Sequence, residues 1–163
     1  MADVFSKSKR SEVMSRIRSR GNKDTEVALA RLLRRHKISG LRRHLEIGKA
    51  ESGKQKFKVR PDFVFPRHRL AVFVDGCFWH GCPRHGTQPK NNAAFWRKKI
   101  SGNQIRDRLV TRTLRLNHWR VLRIWEHTLR RATMKRAIRS AAHPGRGGAG
   151  EARLVTRIRQ ALT

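Results

Sequence analysis

The sequence predicts an α/β fold, a mixed sheet flanked by helices, and three observations predict it. Two short apolar runs, Phe63-Val64-Phe65 and Leu70-Ala71-Val72-Phe73-Val74, are separated only by Pro66-Arg67-His68-Arg69, which reads as a hairpin. A third run, Trp119-Arg120-Val121-Leu122-Arg123-Ile124-Trp125, has the β-branched and aromatic character of a strand. Around these runs, apolar residues recur at helical spacing. The order helix, hairpin, helix, strand, helix belongs to an α/β or α+β layer architecture.

Taken in order, residues 1–22 are polar and basic, with Met14 and Ile17 at helical spacing, and read as a short helix or arm, or as a frayed terminus. Asp24 or Thr25 is the expected cap of the next helix. In it Val27, Leu29, Leu32 and Leu33 form an apolar face, Arg31, Arg34 and Arg35 the opposite one, and the helix ends near His36. Residues 48–58, GKAESGKQKFK, read as a basic loop. The run 70–74 is continuous rather than alternating, as in a central strand covered on both faces. Pro, Gly and Asn make residues 83–93 a loop. Phe95, Ile100, Ile105, Leu109 and Leu116 predict a helix over 94–117 by their spacing. After the strand 119–125, a helix is expected from Thr128 to about Ala142, a flexible linker over 143–150 (HPGRGGAG), and a short basic helix over 151–163 carrying Val155, Ile158 and Leu162. The organisation is thus an arm (1–22), one domain (23–142), a linker and a terminal helix.

A chain of 163 residues can bury a core without disulfide staples. Its 40 lysines and arginines against 11 acids give a formal net charge of +29. So basic a chain repels itself and calls for a polyanionic partner, with nucleic acid ahead of an anionic membrane because no long apolar run exists to anchor it. A structural RNA-binder is the bland alternative; the four tryptophans argue against it. The first residues lack an apolar signal region, which predicts a cytoplasmic protein with reduced cysteines.

One stretch mixes residues that a core does not need together: Asp75-Gly76-Cys77-Phe78-Trp79-His80-Gly81-Cys82. Cys77, Cys82, His85 and His127 have the chemistry of a closed tetrahedral zinc site, although the spacing differs from the common C-x2-C knuckle. Two ordinary thiols and two surface histidines are the other reading. Upstream, Asp62 stands in Arg60-Pro61-Asp62 at the start of a strand, where a carboxylate commonly holds Mg²⁺. Asp75 ends the neighbouring strand. Nucleases of the PD…(D/E)xK type place an acid and a lysine on that second strand, but here the positions read Val72-Phe73-Val74. His80 is then the nearest group able to move a proton near neutral pH. Phe78 and Trp79, with Trp96 nearby, are either core or rings held to enter a base stack.

RPDFVFP, AVFVDGCFWHGCP, FWRKKISGNQIRDR and HWRVLRIWEH together resemble the very-short-patch repair (Vsr) DNA mismatch endonucleases, over roughly residues 3–130. The resemblance implies a restriction-endonuclease-like core with a zinc-stabilised loop. It implies Mg²⁺-dependent nicking of double-stranded DNA beside a T:G mismatch by a monomer, with mismatch-repair proteins as further partners. It places the main Mg²⁺ ligand on Asp62, the catalytic histidine on His80, its orienting acid on Asp107 and a water-binding acid on Glu26. It puts the intercalating rings on Phe78, Trp79 and Trp96, and the opposing wedge on Met14. Val74 stands where the family offers a threonine backbone carbonyl to the metal, and a carbonyl survives that change. Asp75 stands where histidine occurs in the family, as an extra ligand or a supporting acid. Cys77, Cys82 and His127 fall on zinc-ligand positions; the remaining one reads Arg84, so the resemblance leaves His85 as the substitute. The 48–58 loop and the basic tail are expected to add DNA contacts. A restriction-type or defence nuclease without mismatch preference, and a zinc-dependent DNA-binding module without catalysis, remain as alternatives.

Overall fold

The computed structural model of the chain describes residues 25–48, 57–130 and 148–163. Outside them lie the arm with Met14 and Ile17, Asp24, most of the 48–58 loop, residues 131–142 of the helix expected from Thr128, and 143–147 of the expected linker.

Helix α1 (Glu26–Arg35) starts at Thr25, which makes no side-chain capping bond. An acid in its first turn and Arg34 and Arg35 in its last match the helix dipole. Leu29, Leu32 and Leu33 are buried, as their spacing predicts. Strand β1 (Arg42–Arg43) follows, then β2 (Phe63–Phe65), a 3₁₀ turn at Pro66–His68, and β3 (Leu70–Asp75). Helix α2 (Ala93–Leu116) crosses to β4 (Arg120–Trp125); residues 126–130 are helical, and helix α3 runs Gly148–Leu162. That last helix therefore begins three residues before the expected linker ends.

The sheet has the order β1-β2-β3-β4. β1–β2 and β2–β3 are antiparallel, and β3–β4 are parallel with Leu70 beside Arg120 and Asp75 beside Trp125. A tight turn can join the antiparallel pair, whereas the parallel pair needs the crossover that α2 supplies.

Period-two alternation divides the strands between two layers. Phe63, Phe65, Leu70, Val72, Leu122 and Ile124 pack with Leu29, Leu32 and Leu33 of α1 and with Leu154, Val155 and Ile158 of α3. Val64 and Ala71 face the other way, towards Leu114 of α2, with Phe73 and Val121 at the edge of that cluster. Two sequence expectations change here. The terminal helix is part of the main core: Ile158 is 1% exposed, and Glu151 pairs with Arg35 at 3.0 Å and His36 at 2.7 Å. In α2, four of the residues whose spacing announces the helix, Phe95, Ile105, Leu109 and Leu116, are 57–70% exposed. The inward row is instead Ile100, Asn103, Asp107, Val110 and Leu114, at steps of three and four. Its middle is polar because that part of α2 covers a cavity rather than the sheet.

Candidate active site and metal centre

Alternation also explains which polar residues meet. Asp62 shares the α2-facing parity of Val64, and Asp75 and Arg123 share that of Phe73 and Val121. With Glu26 from α1 and Asp107 from α2 they line one cavity of about 600 Å³, joined by Val74, Trp79, His80 and Arg106.

Asp62 is half-buried, and its Oδ2 accepts the Val74 backbone N–H at 2.7 Å. Burial raises its carboxyl above the ordinary value and the charge of Glu26 adds to this, while the Val74 bond and His44 pull the other way. Glu26, 5% exposed, is held on one oxygen by Arg43 at 3.0 Å and by His44 Nε2 at 3.1 Å.

His80 Nδ1 lies 2.5 Å from Asp107 Oδ2. A proton on Nδ1, shared with Asp107, leaves Nε2 as the acceptor. Asp107 also meets Arg123 at 2.9 Å, and Arg123 grips both oxygens of Asp75 at 2.7 Å while lying over the Phe73 ring. Burial opposes the charge of this guanidinium, but the hydrogen bonds and charges of Asp75 and Asp107 outweigh it and raise its pKa. Asp75 is 4% exposed. The structure sets it in an ion pair with Arg123, which also holds Asp107, and its charge adds to the rise of the Asp62 carboxyl across the shared cavity.

The DGCFWHGC stretch leaves β3 as a series of turns pinned by α2. Asn103 donates to the Trp79 carbonyl at 2.9 Å and Gln104 to the His80 carbonyl at 3.3 Å. Gly81 has φ +60, and a Cβ there would lie 2.5 Å from Gln104 Nε2 and 2.9 Å from an Ile100 methyl, so any other residue is strained in its backbone and must push aside the Gln104 side chain that holds the His80 carbonyl. Phe78, Trp79 and Trp96 pack edge to face, with centroids 5.2–6.0 Å apart. All three are half-buried, and Phe95 extends the cluster from Trp96 at 5.2 Å.

Among the described residues, three groups of His, Cys, Asp or Glu bring donor atoms within 4.8 Å of one another: Cys77, Cys82, His85 and His127; Glu26, His44 and Asp62; and Asp75, His80 and Asp107. In the first, His127 Nδ1 lies 3.2 Å from Cys77 Sγ and 3.6 Å from Cys82 Sγ, and His85 Nδ1 lies 3.9 Å from Cys82 Sγ. A tetrahedral ion with bonds of about 2.0–2.3 Å has ligand–ligand edges of roughly 3.3–3.8 Å, so this donor set fits zinc. Burial pushes the Cys77 thiol up, the state a cation would reverse. Glu126 accepts the Cys77 backbone N–H at 3.1 Å and ties the loop to the end of β4.

The sequence-selected residues Glu26, Asp62, Val74, Asp75, His80 and Asp107 therefore share one cavity, His85 rather than Arg84 joins the cysteine cluster, and Met14 lies outside the described residues. His44, Arg123, Glu126, Asn103, Gln104 and Phe95 were not anticipated in these places. The helical spacing of Asn103 and Asp107 beside Ile100 is a signal for two of them; His44 and Arg123 depend on strand pairing.

The family model described as DNA mismatch endonuclease Vsr matches residues 2–85. The chain is 54% identical over 70 residues to the type II nicking enzyme V.NaeI of Lentzea aerocolonigenes, an alignment covering 43% of this chain and 42% of that one. It is 38% identical over 128 residues to the type II nicking enzyme V.XorIIP of Xanthomonas oryzae pv. oryzae, covering 77% and 85%. It is 42% identical over 72 residues to the DNA mismatch endonuclease Vsr of Escherichia coli, covering 44% and 46%. The match thus spans less than half of some relatives and most of another. No described helix is long and apolar enough to cross a membrane.

Proposed function

The chain belongs to the Vsr family of DNA mismatch endonucleases, and from that premise we propose that it hydrolyses one strand of duplex DNA beside a T:G mismatch, with Mg²⁺ at Asp62 and structural Zn²⁺ on Cys77, Cys82, His85 and His127. The observation that carries the reading is a single cavity that joins a buried-side carboxylate, a carboxylate-held histidine and an aromatic ring: Asp62, His80 with Asp107, and Trp79. The relatives named nicking enzymes support scission of one strand, and the relative named a mismatch endonuclease supports the choice of substrate.

The cation, when bound, polarises the phosphate and stabilises the leaving oxygen. Asp62 would hold it, with the Val74 carbonyl as a further ligand and Glu26 as the acid nearest its water; all three residues line the same cavity. Asp107 fixes the His80 ring so that Nε2 moves the proton, the role a buried carboxylate plays for an imidazole base. Arg123 and Asp75 hold Asp107 in turn. The basic surface binds phosphates without regard to sequence.

Selection falls to Phe78, Trp79 and Trp96. Unstacking a base step costs a few kcal/mol, and ring–base stacking returns about 1–3 kcal/mol per base. The two nearly cancel, so the weaker stacking of a wobble pair decides whether the rings enter. The test is nicking of T:G and C:G oligonucleotide duplexes in Mg²⁺ and in EDTA. T:G duplex is nicked only with Mg²⁺, and Trp79→Ala loses that nicking while keeping charge-driven binding. Equal nicking of both duplexes by the unmodified protein refutes mismatch selection and returns the restriction-type reading.

A further inference from the structure

We propose that His44 is a direct ligand of the catalytic cation, completing with Glu26 and Asp62 a nitrogen-containing site that holds Mn²⁺ more tightly than Mg²⁺. The proposal rests on the reading that Asp62 binds a divalent cation, and adds to it a residue and an ion preference.

Three elements deliver the three donors. Glu26 opens α1, His44 follows β1 and Asp62 precedes β2. The antiparallel pairing of β1 with β2 sets His44 opposite Asp62, and the His44 backbone N–H donates to the Asp62 carbonyl at 3.2 Å. The histidine is therefore anchored through its main chain to the residue whose side chain holds the ion. Its φ of +51 is a left-handed conformation that histidine, asparagine and aspartate tolerate better than most residues with a Cβ.

The donor atoms of Glu26, His44 and Asp62 all lie within 4.8 Å of one another. The 3.1 Å from Glu26 Oε2 to His44 Nε2 is the spacing of neighbouring positions on an octahedral ion with bonds of about 2.1–2.2 Å. The same contact is a hydrogen bond while Nε2 carries a proton, so the ion binds Nε2 as the ring changes tautomer and keeps its proton on Nδ1, any second proton leaving to solvent. Arg43, on the same Glu26 oxygen at 3.0 Å, adds a positive charge that opposes any cation held by charge alone. A neutral imidazole adds a bond to the ion without adding charge, which offsets part of that repulsion. It also changes selectivity: Mg²⁺ binds oxygen and dehydrates reluctantly, whereas Mn²⁺, although the weakest nitrogen binder of the first-row ions, exchanges a water for an imidazole more readily than Mg²⁺ does.

The competing role is that His44 only orients Glu26 by hydrogen bonding, and the test separates the two. Mn²⁺ is titrated into the zinc-loaded full chain without DNA, followed by calorimetry and by pulsed electron paramagnetic resonance, which reads ¹⁴N coupling from a bound imidazole. His44→Asn keeps a residue that accepts positive φ and is too short to replace the ring; His44→Gln keeps a hydrogen-bond donor near Glu26. The unmodified protein shows ¹⁴N coupling, both variants lose it, and Mn²⁺ affinity falls by at least the roughly 10–100-fold that loss of a mere supporting partner costs, with a smaller fall for Mg²⁺. No ¹⁴N coupling in the unmodified protein, coupling that persists in His44→Asn, or an equal fall for both ions overturns the proposal and leaves the Asp62 site standing. Mn²⁺ binding that is unchanged in Asp62→Asn overturns the Asp62 reading itself, and this proposal with it.

Discussion

Stripping zinc from the Cys77–Cys82–His85–His127 centre should lower the melting temperature and release the loop that carries Phe78, Trp79 and His80. The described bonds holding this turn are local backbone bonds, His80 N–H to the Gly76 carbonyl at 3.2 Å, Gly81 N–H to the Phe78 carbonyl at 3.4 Å, Cys82 N–H to the Cys77 carbonyl at 2.9 Å and Gly86 N–H to the Cys82 carbonyl at 2.7 Å, and three side-chain ties, from Asn103 and Gln104 of α2 and from Glu126. The donor spacings of 3.2–3.9 Å already match those a tetrahedral ion needs, so little rearrangement offsets its binding. An ion present at about 1,000 times its dissociation constant stabilises the fold by about 4 kcal/mol. In a chain of this size each kcal/mol moves the melting temperature roughly 2–4 °C, so chelation should lower it by roughly 8–16 °C. The assay is calorimetry with and without a zinc chelator, beside elemental analysis of the dialysed protein. His85→Ala should bind zinc more weakly by at least the roughly 10–100-fold that losing a supporting partner costs, whereas Arg84→Ala should match the unmodified protein. Equal zinc affinity in these two variants, or a folded protein that carries no zinc, refutes the reasoning.

Three other outcomes are expected. The Asp62 carboxyl is raised in the folded chain, so folding binds extra protons from the ordinary value of 3.8 up to the folded value, and stability falls as pH rises through that window. Asp62→Asn should therefore be more stable than the unmodified protein to urea at pH 7 without added Mg²⁺ or Mn²⁺, with the gain vanishing as pH falls towards 3.8; a less stable variant at pH 7 contradicts the assignment. His80→Ala should bind DNA normally but nick about 10²–10⁴-fold more slowly, and a loss smaller than tenfold in single-turnover assays removes His80 from the chemistry. Ile158→Ala should cost about 2–5 kcal/mol in urea unfolding, because its side chain is buried in the main core; a change under 0.5 kcal/mol would show that α3 does not seal that core.

The strands were legible because their signal is local. Continuous apolar runs broken by a Pro-containing turn leave few other conformations, and β2, β3 and β4 fall where those runs stand. The facing of α2 was not legible. Its apolar residues mark a helix, but the side turned inward is set by the loop and cavity beneath it, and there the molecule needs Asn103, Gln104 and Asp107 more than leucine. The terminal helix was legible from Val155, Ile158 and Leu162, but nothing in its local sequence says that Leu154, Val155 and Ile158 pack into the main core. Among candidate site residues, those inside short motifs were readable: Asp62, His80 and the cysteines. His44 and Arg123 reach the cavity's groups only through the pairing of β1 with β2 and of β3 with β4, which no local window contains.

The cavity lining has a consequence for how a polyanion approaches this molecule. Four of the chain's 11 acids, Glu26, Asp62, Asp75 and Asp107, gather in one hollow of a chain whose net charge is +29. Arg123 offsets Asp75 and Asp107, Arg43 offsets Glu26, and Lys58, Arg60 and Arg106 also line the hollow, so any negative potential is local to Asp62. Field lines from the surrounding arginines draw the duplex inward over distances set by the Debye length, about 10 Å at 0.1 M salt. A phosphate that reaches Asp62 meets a carboxylate at short range, and on the proposed reading a divalent ion there would reverse that local sign. Capture of a polyanion would then be weakened by monovalent salt, while entry of a phosphate beside Asp62 would depend on the divalent ion.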